Sequence, residues 1–170
     1  RPTPQKNIVS GSPALPGETV KYRLSMNNGS FRQLDEPVIA DLIPAALTYQ
    51  AGTWAYTSIP ACPASPTFQT VANYGGSGRT LLVWSWAGTG CQIPVGQSVQ
   101  ITYDTIVNQG TYPTSALPNS FALVNYSTDP SEVRVSNCAT APAEAAFFST
   151  NGATGVDTSK LCWSAPSNLR

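Results

Sequence analysis

The chain contains no histidine. That absence excludes Ser-His-Asp and Cys-His triads, His-ligated zinc and the usual proton shuttle near neutral pH. Charge is scarce as well: Asp, Glu, Lys and Arg make up 11% of the 170 residues, against about a quarter in an average domain. Nine basic and nine acidic residues cancel, and the lysines Lys6, Lys21 and Lys160 form no basic run. Nucleic acid and anionic membranes both demand clustered Lys and Arg, so neither is expected as a partner. No apolar run approaches the ~18 residues of a membrane span, and no signal-peptide pattern is visible. Direct membrane insertion is not expected. The Arg1-Pro2-Thr3-Pro4 opening reads as a processed end or an artificial boundary.

Cys-x-x-Cys is missing too, which removes the zinc-ribbon and thioredoxin-like spacings. The four cysteines are Cys62, Cys91, Cys138 and Cys162. An even count in a chain rich in Thr, Ser, Pro and Gly favours disulfides, hence an oxidising compartment. Cys62 with Cys91 and Cys138 with Cys162 each sit in their own local segment, so these are the expected bridges. Four free buried thiols are the alternative. A closed loop of about 30 residues contributes roughly 3–4 kcal/mol in the chain-entropy model.

What is present is turn chemistry. Fifteen prolines and 13 glycines are scattered along the chain, and no stretch of about ten residues keeps a helical apolar period without one of them. Pro142–Phe148 supports a turn or two of helix at most. The clearest strand is Glu18–Asn27: Val20, Tyr22, Leu24 and Met26 fall on one face, Thr19, Lys21, Arg23 and Ser25 on the other. Further strands are expected at Pro37–Leu42, Leu47–Tyr56, Thr67–Ala72, Thr80–Ala87, Gln97–Val107 and Phe121–Tyr126. A final hairpin is expected from Glu132–Cys138 and Ser159–Trp163. Nine or so strands at roughly ten-residue spacing indicate a β-sandwich. The expected core includes Val20, Tyr22, Leu24, Ile39, Leu82, Trp84, Val99, Ile101, Tyr103 and Leu123.

Three blocks then carry a resemblance: Pro16 to Gly29, with its Pro-Gly-acid opening, alternating strand and Asn-x-Gly close; Val38 to Tyr49, with Asp41, Leu42-Ile43-Pro44 and Leu47-Thr48-Tyr49; and Trp84 to Tyr103, with Gly96-Gln97-Ser98-Val99. Asn119 to Pro130 is similar to a closing, Asn-containing strand. Together they resemble the bacterial surface repeat catalogued as domain of unknown function eleven, over roughly residues 8–130. The resemblance implies an immunoglobulin-like sandwich from long extracellular stalks and adhesins, with no catalytic residues. The Cys62–Cys91 insertion is longer than the family's usual connection. Residues 131–170 lie outside the family pattern and are expected to form a disulfide-stapled extension.

Individual constellations have bland and functional readings. Trp84 and Trp86 share a strand face, giving either core packing or a sugar-stacking platform. Asp35-Glu36 and Asp129 with Glu132 are near pairs of acids, without the support a glycosidase needs. Asp129 and Glu132 also suit a weak junction calcium site, although the calcium-loop spacing is absent. Asp41 reads as a cap of the turn that follows it. An intramolecular Lys–Asn isopeptide bond, known from pilin-like sandwiches, needs a Lys, an Asn or Asp and an acid buried together. Lys21 alternates onto the polar face, so no such bond is expected. Asn28-Gly29-Ser30 and Asn125-Tyr126-Ser127 are sequons.

The sequence thus reads as an all-β, immunoglobulin-like, non-enzymatic module, extracellular or on a bacterial envelope, with no cofactor and no metal. Its expected partners are neighbouring domains of the same parent protein, a cell-surface protein or a glycan. The residues expected to touch a partner are Tyr74, Trp54, Asn73 and Asn151, on loops of a rigid sandwich. A carbohydrate-binding module using exposed aromatics such as Trp54, Tyr56, Tyr74 or Trp163 is the alternative.

Overall fold

Alternating apolar side chains can be buried only if two sheets face each other, and that is the arrangement found. The computed structural model describes residues 2–110, 117–119, 121–127, 162–163 and 167–169. The strands in chain order are β1 (Pro2–Ser10), β2 (Thr19–Asn28), β3 (Leu34–Ile43), β4 (Leu47–Tyr49), β5 (Ala55–Thr57), β6 (Thr67–Val71), β7 (Thr80–Ser85), β8 (Gln92–Ile93), β9 (Ser98–Val107), β10 (Leu117–Asn119), β11 (Phe121–Ser127), β12 (Cys162–Trp163) and β13 (Ser167–Leu169). The first sheet runs β1-β2-β9-β4, with β5 also paired to β9. The second runs β12-β11-β3-β7-β6, with β8 paired to β3, and β10 pairs β13. All pairings are antiparallel.

The central ladder of the first sheet is β2 against β9, in which Tyr22 faces Tyr103 and Leu24 faces Ile101. On β9, Val99, Ile101, Tyr103 and Thr105 all point inward. The second sheet answers with Ile39 and Ile43 on β3 and with Leu82 and Trp84 on β7. All ten expected core residues are buried. Trp84 and Trp86 are fully buried. Trp54 and Phe68 pack on Trp84, and Tyr56 packs on Trp86. Burying a large side chain contributes roughly 1.5–3 kcal/mol, so Trp84 and Trp86 are substantial contributors beside the aliphatic core.

Two expectations change. Leu47–Tyr56 is not one strand but two, β4 and β5, separated by a turn in which Thr53 N–H and Oγ1 both bond the Gln50 carbonyl. The other change is an unexpected strand: the Pro-rich opening forms β1, paired with β2 from Pro2 to Ser10. Proline removes a ladder donor and is therefore confined to edges, and β1 is an edge of its sheet. Gly11 then turns the chain at φ +91°, with its Cα so close to β2 that a Cβ would lie 2.3 Å from the Thr19 carbonyl oxygen.

Cys62 and Cys91 form a disulfide, both sulfurs buried, that ties the Pro-rich 60–66 loop to the approach of β8. The Cys138–Cys162 bridge, the 132–138 strand, the 142–148 helical turn, the Asp129–Glu132 pair and Asn151 lie outside the described residues. The described pairing of Cys162–Trp163 is with β11. No helix among the described residues is long and apolar enough to cross a membrane.

Candidate functional site: a buried lysine among aspartate, tyrosine and asparagine

Strand alternation places Pro2, Pro4 and Lys6 of β1 on the inward face, while Thr3, Gln5 and Asn7 face out. Lys6 is thus carried into the space between the sheets. On β3, the same parity that buries Ile39 and Ile43 buries Asp41. The two side-chain ends are 0% exposed. Lys6 Nζ donates to Asp41 Oδ1 at 2.6 Å and Oδ2 at 2.5 Å. Asp41 is therefore the partner of a buried ammonium and does not cap the Pro44 turn, the role its sequence position suggested. That turn is closed by its own backbone, Leu47 N–H to the Pro44 carbonyl.

Tyr103 completes the core of the cluster. Its hydroxyl accepts from Lys6 Nζ at 3.0 Å and donates to Asp41 Oδ2. Asn119, on β10 and 0% exposed, points its amide nitrogen at the same hydroxyl, Nδ2 to Oη 3.5 Å. Its carboxamide oxygen is buried with no hydrogen-bond partner. Such an orphan costs about 1–3 kcal/mol. Tyr22 stacks on Tyr103 with ring centroids 5.7 Å apart, and Lys6 Nζ lies 4.7 Å from the Tyr22 centroid. Burial, helped by the Asp41 carboxylate, pushes the Tyr103 phenol well above its ordinary value. Burial likewise pushes Tyr22 up to about 12, with the Asn119 side chain opposing. Both phenols stay protonated at neutral pH.

A primary amine, a carboxylate, a phenol and a primary carboxamide thus converge from four strands in a place closed to water. Such a place makes charge expensive: moving the ammonium proton to the carboxylate leaves two neutral groups, and the low-dielectric interior favours that exchange. A neutral amine beside a carboxamide is a nucleophile beside an acyl group.

Lys21, the lysine considered from the sequence, is on the surface as expected, its side chain 41% exposed and paired with Asp104 at 3.4 Å. The overlooked lysine is Lys6. Its sequence signal was the inward parity of Pro2, Pro4, Lys6 and Ile8. A second signal was Asp41 in the apolar run Ile39-Ala40-Asp41-Leu42-Ile43, where a charge needs a partner.

The expected contact residues do not gather. Tyr74, read as an exposed loop tip, is instead buried at 7% exposure, in a one-turn 3-10 helix of Tyr74–Gly76. Asn73 is exposed and accepts from Gly78 N–H. Trp54 is half-buried against Phe68 and Trp84, so the described indoles make no free platform. The sequon residue Asn28 is 1% exposed. Its Nδ2 donates to the Arg32 and Ile93 carbonyls, leaving no room for a glycan. Glu36 accepts from Gly90 N–H and Asp35 from Gln33. Among the described residues no three His, Cys, Asp or Glu side chains group to hold a metal ion.

No protein-family model and no curated protein matches the chain. Solved structures do. The major pilin SpaA of Corynebacterium diphtheriae, whose structure points to a modular pilus assembly with stabilizing isopeptide bonds, superposes with a TM-score of 0.56 at 18% identity, over 98% of this chain and 37% of that one. The pilus backbone protein RrgB of Streptococcus pneumoniae gives 0.55 at 15%, over 76% and 54%. The major pilin subunit BcpA of Bacillus cereus gives 0.54 at 10%, over 99% and 40%. The chain spans about half or less of the length of these proteins. At such identities the likeness is one of fold: the chain is an all-β, immunoglobulin-like sandwich of the kind from which these pilins are built.

Proposed function

We propose that the chain is an extracellular structural module of a larger surface or secreted protein, which works by contact with neighbouring domains and closes on itself through an isopeptide bond between Lys6 Nζ and Asn119 Cγ. The observation that carries this reading is the meeting of Lys6, Asp41 and Asn119, all buried, on the Tyr103 hydroxyl. Asp41 takes the ammonium proton, the free amine attacks Cγ, the Cγ–Nδ2 bond breaks and ammonia leaves. No oxidant or cofactor is needed, and the reaction occurs once per chain, so the module has no turnover. The Cys62–Cys91 disulfide supports an oxidising compartment. The pilin likeness supports a surface role. The blocks resembling the surface-repeat family lie on β2, β3 and β4, and β7 through β9.

Intact-mass measurement of the purified, folded chain tests the reading. One ammonia should be missing, and proteolysis should release a branched peptide joining β1 to β10. Asn119→Ala, Lys6→Ala and Asp41→Ala should each restore the full mass, and Asn119→Asp should lose water in place of ammonia. A folded wild-type chain of unreduced mass rejects the bond.

A further inference from the structure

Amide exchange between Lys6 and Asn119 moves one proton, net, from the nitrogen that becomes acylated to the nitrogen that departs. Attack makes Nζ acidic, while Nδ2 must gain a proton before the Cγ–Nδ2 bond can break, because an amide anion is too poor a leaving group. The Tyr103 hydroxyl touches both atoms, Nζ at 3.0 Å and Nδ2 at 3.5 Å. A hydroxyl is donor and acceptor at once, so it can receive at one side while it gives at the other.

We propose that Tyr103 is a catalytic residue of this cross-linking, its hydroxyl passing the proton from Lys6 Nζ to Asn119 Nδ2 as the new C–N bond forms and the old one breaks. The inference rests on the cross-link reading above and adds to it the group that frees the leaving ammonia. Electrons and atoms balance within the cluster: the Nζ lone pair becomes the Cγ–Nζ bond, the Cγ–Nδ2 pair leaves on nitrogen, and that nitrogen takes the phenolic proton while the phenol takes one from Nζ. Asp41 holds the proton removed earlier from the ammonium; once protonated, its carboxyl can donate to the Tyr103 hydroxyl across the same Oδ2 contact, which turns the phenolic proton free for Asn119 Nδ2. The phenol is buried well away from water and resists ionisation. It therefore gives its proton only against simultaneous receipt of another. Stacking on Tyr22 and the T-shaped contact with Tyr49 hold the ring without help from the hydroxyl, so Phe fits the same space.

Cell-free synthesis of the whole chain, followed by intact mass against time, reads the rate of ammonia loss. Wild type should cross-link. Tyr103→Phe, with the Cys62–Cys91 bridge and β-sheet dichroism retained, should do so about a hundredfold more slowly or worse, the range of positioned acid–base groups. A fluorinated tyrosine placed at position 103 alone keeps the ring's seat and makes the hydroxyl a stronger acid. Its rate should differ from wild type, which a packing role would not produce, and it answers the question if Tyr103→Phe does not fold. Wild-type rates in both variants overturn the role of Tyr103 and leave the cross-link intact. No ammonia loss in folded wild type overturns the cross-link and this role together.

Discussion

The Lys6–Asp41 pair makes a quantitative prediction that is separable from covalent chemistry if measured in an Asn119→Ala background, where no acyl acceptor is present. Both charged ends are 0% exposed, and Nζ lies 2.5 Å from Oδ2. Removing one partner from such a pair strands the other charge in a medium that cannot solvate it, at about 3–5 kcal/mol. Asp41→Ala should therefore cost about that much. At about 2–4 °C per kcal/mol for a chain of this size, the melting temperature should fall by about 6–20 °C. Replacing both, Lys6→Met with Asp41→Leu, removes two desolvation penalties with the attraction and should return stability to near the background or above it. Urea unfolding followed by tryptophan fluorescence measures all three proteins, and the buried Trp84 and Trp86 supply the signal. If Asp41→Ala costs less than about 1 kcal/mol, as an exposed pair would, or if the double replacement is less stable than Asp41→Ala, the pair is not desolvated.

Gly11→Ala should destabilise by about 2 kcal/mol or more, because it combines a left-handed φ of +91° with a Cβ 2.3 Å from a backbone oxygen that cannot rotate away. Thermal melting of that variant beside Gly52→Ala, whose Cβ would meet nothing within 4 Å, separates the clash from the φ cost alone. The tyrosine pair predicts alkaline lability. Folding raises the Tyr22 phenol from 10.0 to about 12, so the unfolded chain releases its proton first as pH rises. The corresponding stability is complete below pH ~10 and is lost between ~10 and ~12, about 3 kcal/mol from Tyr22. Urea midpoints that stay level across that window count against this.

The strands that alternate were legible in the sequence, since period-two patterning was present in Val20-Tyr22-Leu24-Met26 and in Val99-Ile101-Tyr103-Thr105, and both faces are buried as expected. The Cys62–Cys91 bridge was legible from proximity in sequence. β1 was not. Its inward positions are two prolines and a lysine, residues that argue against a strand when read one at a time; they fit only on an edge, opposite an acid supplied by another sheet. Asn119 opened a block similar to an Asn-containing closing strand, but its role was hidden, because its significance comes from Lys6, 113 positions earlier (119 − 6). Asp41 offered the one local sign, a carboxylate between buried apolar neighbours, but a turn two residues on supplied a simpler explanation. The aromatic tip at Tyr74 misled because a glycine-rich loop can still fold its ring back under itself.

The positions of Lys6 and Asn119 have a mechanical consequence. They stand on β1 and β10, so a covalent tie between them would close the chain from β1 to β10 into one ring that contains the whole of β2 to β9. Tension applied to the two flanks would run through the side chains and bypass the β2–β9, β4–β9, β3–β7 and β6–β7 ladders, while β11, β12 and β13, which follow Asn119, would still carry load. The 113-residue interval (119 − 6) could then contribute none of its slack, roughly 380 Å at about 3.4 Å per residue. The Cys62–Cys91 ring is nested inside that interval, so reducing it would change the resistance of the interior to heat while leaving the extensibility of the strand of protein untouched.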